Sequence, residues 1–130
     1  MADIIVTTPK NRMAEAAHEA EELKAAGGGY YYREYNLRRA PWIEPGQRVY
    51  YVEDGMLRGF CVVIAWRLRR AKRRCDSVVV VDMYAASWKW IKPIPWKAPR
   101  SFQYAPGDLR DKIEIVGGWL DPKPKAPLER

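Results

Sequence analysis

The chain has 130 residues, of which 48% are hydrophobic and 30% charged, and it carries a net charge of +7. This length predicts one domain with its own core, and the composition excludes a disordered or fibrous protein. No apolar run approaches the roughly 20 residues that span a bilayer, and the first residues do not resemble a signal peptide. We therefore expect a cytoplasmic protein with no membrane partner.

Cysteine and histidine are too few for a disulfide framework or a zinc site. The chain has two cysteines and one histidine, whereas a structural zinc site needs about four nitrogen or sulfur ligands. Cys61 lies in an apolar run and is expected in the core, while Cys75 follows a basic cluster. No metal and no other cofactor are expected.

The positive charge is concentrated in the middle of the chain. Between Arg33 and Arg100 there are 15 basic and six acidic residues, whereas the rest of the chain holds eight basic and ten acidic residues. Such a field attracts polyanions and raises their encounter rate. Interspersed charges that only keep the protein soluble are the alternative. Because the excess is segregated, the sequence favours a nucleic-acid partner.

The first predicted elements are a strand and a helix. Residues 4–7 are β-branched and predict a short buried strand. Thr8 and Pro9 predict a helix start, and apolar residues at helical spacing continue to about Ala26. The glycines at 27–29 follow this helix, so they indicate a C-terminal cap rather than a phosphate-binding loop, which precedes a helix.

A hairpin is the clearest local structure. Residues 30–35 predict a strand, and residues 47–52 and 56–66 predict the two arms of a hairpin. The arms meet at Glu53-Asp54-Gly55, and an Asp-Gly pair between β-rich runs is a strong turn signal. Both faces of the second arm are apolar, which predicts a central strand in a closed or covered sheet.

The remaining chain predicts further strands and a tail. Residues 67–74 form a predicted connection with six positive charges, residues 77–84 a buried strand, residues 88–104 an extended segment and residues 113–116 a last strand. We expect a domain over residues 1–120 and a mobile Pro/Lys-rich tail over 121–130. The predicted fold class is α+β, a small mixed, mostly antiparallel β-barrel with one N-terminal helix packed on it. Closure would protect the sheet edges.

Three stretches resemble the PUA-like superfamily, especially its ASCH and EVE/YTH branches. They are the opening strand with its Thr-Pro turn and helix, the segment from Tyr32 to Asn36 followed by residues 43–51, and the return strand at 55–63. The resemblance implies a small pseudo-barrel whose cleft binds RNA or a modified base. In the ASCH pattern G-x-K-x-x-E-x-R, Gly29 and Glu34 match, while Tyr31 and Asn36 stand at the Lys and Arg positions.

Residues 87–100 alternate three tryptophans with four cations. Cations neutralise phosphates and aromatic faces stack on bases, which is the chemistry that nucleic-acid binding needs. The alternative is that Trp88 and Trp90, which share a strand face, belong to the core. The candidate nucleic-acid-binding residues are Arg33, Arg38, Arg39, Arg67, Arg69, Arg70, Arg73, Arg74, Trp88, Trp90, Lys92, Trp96, Lys97 and Arg100.

No residues form a convincing catalytic set. The leading hypothesis is a monomeric nucleic-acid-binding module for RNA or single strands, with RNA favoured over DNA and a modified base in an aromatic cleft as the finer expectation. A small hydrolase of RNA or a modified nucleoside, with Glu34 as its acid or base, is the second hypothesis. A protein-interaction module is the third, in which Trp88, Trp90 and Trp96 form an apolar patch for an acidic partner.

Overall fold

The computed structural model describes residues 3–7, 22, 30–37, 41–70, 77–84, 87–100, 102–118 and 124. For residues 30–37, 67–70 and 77–84 the description covers the backbone only. The helix predicted over 9–26 lies outside the described residues, apart from Glu22.

The described residues form nine strands in two sheets and one short helix. The strands are β1 (Ile4–Thr7), β2 (Tyr30–Leu37), β3 (Arg48–Glu53), β4 (Met56–Val62), β5 (Ala65–Arg70), β6 (Ser77–Tyr84), β7 (Lys89–Pro95), β8 (Phe102–Tyr104) and β9 (Ile115–Gly118), and the helix is α1 (Leu109–Lys112).

The larger sheet has six strands in the order β8-β1-β3-β4-β7-β9, and the smaller has three in the order β2-β6-β5. Strands β1 and β3 are parallel, and the other pairs are antiparallel.

The predicted closed barrel is wrong, because the larger sheet is open. Its edges are β8 and β9, which have three and four residues and lie on opposite sides of four other strands. Short edge strands expose few unpaired backbone groups, so the edges are protected by their length rather than by closure. The mostly antiparallel β-rich character is confirmed.

The predicted hairpin turn is confirmed. Asp54 and Gly55 both have positive φ, at 54° and 74°, as a two-residue type I′ turn between antiparallel strands requires. The register of β3 and β4 shifts between Tyr51 and Val52, where Tyr51 pairs with Gly59 and Val52 with Leu57. Arg58 is therefore the extra residue of a bulge.

The predicted second arm, residues 56–66, divides into two strands in different sheets. Strand β4 ends at Val62. Val63 then exchanges hydrogen bonds with the loop before β3, accepting from Gly46 N–H (2.8 Å) and donating to the Gln47 carbonyl (2.9 Å). After Ile64 the chain enters β5, so part of the predicted basic connection is a strand.

Two groups of buried side chains lie on opposite faces of the larger sheet, as the alternation of neighbouring residues requires. We call them the first and second core clusters. The first contains Ile4, Val6, Ile43, Val49, Tyr51, Cys61, Val63 and Trp90, and the second contains Ile5, Tyr50, Val52, Leu57, Phe60, Ile91 and Leu109. The core position predicted for Cys61 is confirmed. Helix α1, which the sequence did not predict, contributes Leu109.

Candidate nucleic-acid interface

The three tryptophans of residues 87–100 do not share one surface. Trp90 is only 1% exposed and belongs to the first core cluster. The half-buried Trp88 ring packs against the same cluster, 5.3 Å from the Trp90 ring. Trp96 packs on the second cluster and donates from Nε1 to Gln103 Oε1 (3.2 Å). The core alternative for Trp88 and Trp90 is thus confirmed, and the joint apolar patch is absent.

The cations of this segment are spread over the sheet. Lys92 is an exposed residue of β7. Exposed Lys97 and Arg100 flank Pro99, whose carbonyl accepts from Thr7 Oγ1 (2.8 Å) at the end of β1. They therefore lie at the end of the sheet that carries the β3–β4 turn, where Trp96 N–H donates to the Gly55 carbonyl (3.0 Å).

Strand β5 is an edge strand that carries three of the candidate arginines. Arg67, Arg69 and Arg70 pair with Val80, Val78 and Ser77. Trp66 packs against the first core cluster.

Strand β2, the other edge of the smaller sheet, carries Arg33 and Glu34. Arg33 pairs with Val81, which is also the partner of Trp66. Glu34 pairs with Val80, which is also the partner of Arg67. The catalytic role of Glu34 stays a prediction. Arg38, Arg39, Arg73 and Arg74 lie outside the described residues.

A cluster of polar and aromatic side chains that the sequence did not single out lies where β1 and β3 begin. We call Asp3, Arg48, Tyr50, Phe60 and Arg110 the guanidinium cluster. Asp3 accepts from the Arg48 backbone N–H (2.8 Å) and from Nε and Nη2 of Arg110 (both 2.8 Å). The Asp3 side chain is 9% exposed and that of Arg110 48%.

The arginines control the ionisation of this cluster. Burial alone would raise the pKa of Asp3, but hydrogen bonds from the Arg110 side chain and the Arg48 N–H, with both positive charges, hold the Asp3 pKa below its usual value of 3.8. Burial raises the pKa of Tyr50, although the hydrogen bond from Arg48 acts in the opposite direction. Asp3 is therefore an anion and Tyr50 a neutral phenol at pH 7.

The guanidinium of Arg48 is half-buried and lies over an aromatic ring. Its Cζ is 4.2 Å from the centre of the Phe60 ring, and its Nη1 donates to the Tyr50 hydroxyl (3.1 Å). No carboxylate among the described residues forms an ion pair with it. Lys89, also half-buried, is the cross-strand partner of Phe60 on β7. Arg48 and Lys89 therefore add positive charge beyond the Asp3–Arg110 pair.

An exposed tryptophan lies at the same end of the sheet. Pro41 and Ile43 are buried, while Trp42 between them is 67% exposed. Its backbone N–H donates to the hydroxyl of Tyr104 (2.9 Å), and its Nε1 donates to Glu44 Oε1 (3.2 Å). Tyr104 is itself 43% exposed. We call Trp42, Glu44 and Tyr104 the indole platform.

Glu44 is fixed by a second set of hydrogen bonds. Its backbone N–H donates to the side-chain oxygen of the buried Gln47 (2.6 Å), and its carbonyl accepts from the Gln47 N–H (3.1 Å). Gly46, at φ 91°, makes the turn between them. These hydrogen bonds hold the backbone of the platform on both sides of Ile43.

Sequence reasoning missed the indole platform and the guanidinium cluster. The sequence signal for Trp42 was its position in a proline-containing connection. An aromatic side chain in a connection has fewer neighbours to bury it, so exposure is expected there. Nothing local distinguished Arg48 from the other arginines, because the Phe60 ring under its guanidinium belongs to another strand and Asp3, which accepts from its N–H, is 45 positions away.

The chain was compared with protein-family models, with curated proteins and with solved structures. None of the three comparisons found a match. Within the described residues, no helix is long and apolar enough to cross a membrane, and no group of three or more His, Cys, Asp or Glu side chains is placed to hold a metal ion.

The end of the larger sheet where β1 and β3 begin therefore carries two groups of side chains that can bind a ligand. The guanidinium cluster offers N–H donors and excess positive charge on the side of the second core cluster. The indole platform offers an exposed aromatic face next to the first core cluster. An anion and a planar ring are the ligand groups that these side chains can bind.

Proposed function

We propose that the protein is a module that binds single-stranded nucleic acid, RNA in preference to DNA, at the end of the sheet where β1 and β3 begin. The observation that carries the proposal is the half-buried guanidinium of Arg48, which lies over Phe60 and forms no ion pair among the described residues.

Arg48 is suited to a phosphate ligand. A guanidinium has five N–H donors in a planar fork that matches two oxygens of a phosphate. One of these donors is used by Tyr50, and Asp3 is engaged by the fork of Arg110. The cluster therefore keeps a net positive charge, and the low local dielectric at a half-buried site strengthens a charge-assisted hydrogen bond.

Strand β5 follows closely on the Arg48 region and contains further arginines. Val63 is bonded to Gln47, the residue before Arg48, and β5 begins two residues later. The sequence of β5 includes Arg67, Arg69 and Arg70. A ligand with several phosphates gains from additional cations, since each neutralised phosphate releases counterions.

Trp42 favours a single strand over a duplex. An exposed indole stacks on an unpaired base, which a duplex keeps inside its own stack. The resemblance to the PUA-like superfamily supports RNA as the ligand, and membership of that superfamily and a cytoplasmic location are parts of the proposal.

Fluorescence anisotropy with a labelled uridine decamer, its DNA counterpart and an RNA duplex tests this function. We expect the RNA single strand to bind most tightly. Arg48→Gln should weaken it by about tenfold, because a hydrogen bond to a charged group contributes about 1.5–3 kcal/mol.

Lys112→Gln is the matched control. Lys112 is an exposed cation paired with Asp108 (2.9 Å) outside the cluster, and its replacement should change the affinity by less than about twofold. Thermal unfolding checks that both variants are folded. Equal losses in the two variants, or no binding by the wild type at low salt, would refute the proposal.

A further inference from the structure

The indole platform has an unusual combination of groups for a surface that attracts nucleic acid. Trp42 presents an exposed ring, and the side chain next to it is a carboxylate rather than a cation. Glu44 accepts from the indole Nε1 (3.2 Å), so its carboxylate lies at the edge of the ring and not over its face. Two thirds of the Trp42 surface is exposed, which leaves area for a stacked base.

A carboxylate at the edge of a stacked base selects among the four bases. An ionised carboxylate only accepts hydrogen bonds. Guanine presents two adjacent donors, N1–H and the 2-amino group, on its Watson–Crick edge. Adenine and cytosine each place a ring-nitrogen acceptor beside their amino group, and uracil places carbonyl oxygens on both sides of its single N–H. Guanine alone offers two adjacent donors and no neighbouring acceptor to a carboxylate, and Oε2 is the Glu44 oxygen that the Trp42 indole does not engage.

We propose that Trp42 and Glu44 form a binding site for an unpaired guanine base. Trp42 stacks on the base, and Glu44 accepts from its Watson–Crick edge. This inference rests on the proposed function, since it names the base that the single strand offers to the module.

The site is assembled before ligand arrives. Buried Pro41 and Ile43 hold the backbone on both sides of Trp42, and the Tyr104 hydroxyl accepts from its N–H (2.9 Å). Gln47 holds Glu44 in the same way from the other side (2.6 Å). A prearranged site loses little conformational entropy on binding, so more of the contact energy appears as affinity.

Tyr104 acts as a positioning residue in this site. Its ring packs edge-on against Phe102, with centroids 5.4 Å apart, and its hydroxyl fixes the backbone of Trp42. Tyr104→Phe removes that hydrogen bond and keeps the ring. It should weaken guanine binding while leaving the ratio between guanine and adenine unchanged, because the Glu44 carboxylate that discriminates is still present.

The test uses uridine decamers with one central guanine, inosine or adenine, measured by anisotropy at fixed salt. We expect the guanine decamer to bind about tenfold more tightly than the adenine decamer, since a hydrogen bond to a charged group is worth about 1.5–3 kcal/mol. Inosine lacks the 2-amino group and should fall between them.

Glu44→Gln is the decisive variant, because its amide oxygen can still accept from the Trp42 indole. It should abolish the preference for guanine, because the amide also offers an N–H donor that the ring-nitrogen acceptor of adenine can use. Glu114→Gln, which alters an exposed carboxylate beyond the platform, should keep the full preference. Trp42→Leu should weaken both decamers.

The outcomes separate this inference from the function on which it rests. If all three decamers bind with equal affinity, or if Glu44→Gln keeps the preference for guanine, the guanine site is refuted and the nucleic-acid-binding function stands. If no decamer binds the wild type even at low salt, the function fails together with the inference.

Discussion

Gly59 lies directly beneath the indole of Trp88. A Cβ atom at position 59 would come within 2.8 Å of Trp88 Cζ2 and 2.6 Å of the Lys89 carbonyl oxygen. Because the carbonyl belongs to the neighbouring strand, it cannot move without disturbing the β4–β7 pairing. The absence of a side chain at Gly59 is therefore what lets Trp88 pack on the first core cluster.

Gly59→Ala is expected to lower the free energy of unfolding by about 1–3 kcal/mol, the usual cost of overpacking a core. Urea unfolding followed by far-UV circular dichroism measures the change. Gly107→Ala is the control, since a Cβ there meets nothing within 4 Å. If both variants unfolded at the wild-type urea concentration, the close contact at Gly59 would not exist in solution.

A second prediction concerns the turn between β3 and β4. Gly55 has φ 74°, which costs a residue with a Cβ roughly 1–2 kcal/mol. Gly55→Ala should therefore reduce the urea midpoint. Asp54→Asn, at φ 54°, should leave it nearly unchanged because asparagine adopts this conformation readily. Equal stability of the alanine variant and the wild type would exclude the type I′ turn.

The hydrogen bonds of Asp3 make stability depend on pH. The folded pKa of Asp3 is lowered below 3.8, so folding favours its charged form. The contribution is complete above the unfolded pKa and is lost as the pH falls through the folded pKa. Wild-type protein should thus exceed Asp3→Asn in unfolding free energy by about 1–2 kcal/mol at pH 7.

Urea unfolding of both proteins between pH 7 and pH 2.5 measures this dependence. The difference between them should be constant down to about pH 5 and should shrink steadily below pH 4. A difference that stayed the same at pH 2.5, or that grew on acidification, would contradict the pairing of Asp3 with Arg110.

Local chemistry in the sequence accounts for part of this fold. The Asp54-Gly55 pair predicted the hairpin, and the β-branched run at residues 78–81 predicted β6, because turn geometry and strand propensity are set by neighbouring residues. Cys61 was assigned to the core from its apolar surroundings. Each of these features depends on a few consecutive side chains.

Features set by distant partners were not predictable in this way. The division between β4 and β5 depends on the hydrogen bonds of Val63 with the loop before β3, and an apolar run on both faces gives no sign of it. The guanidinium cluster joins Asp3 to Arg110, which are 107 positions apart. The closed barrel that the resemblance implied is wrong. Closure depends on whether the two edge strands pair with each other, and that is set by the whole sheet.

The candidate site was likewise predictable from the sequence only in part. The concentration of positive charge in the middle of the chain indicated a polyanion partner. It did not indicate which of the 15 basic residues there contact that partner. The tryptophans that looked most like a binding surface, Trp88 and Trp90, pack against the core because the side chains of the first core cluster cover them. Among the described tryptophans the exposed one is Trp42, which lies between two buried residues.

The salt dependence of RNA binding by wild-type protein and Arg48→Gln is the sharpest check on phosphate binding at the guanidinium cluster. If Arg48 neutralises a phosphate, log K plotted against log salt should be shallower in the variant by about 0.7, the contribution of one phosphate in a single strand. Parallel lines for the two proteins would contradict the proposed interface, because the guanidinium of Arg48 would then make no contact with the backbone.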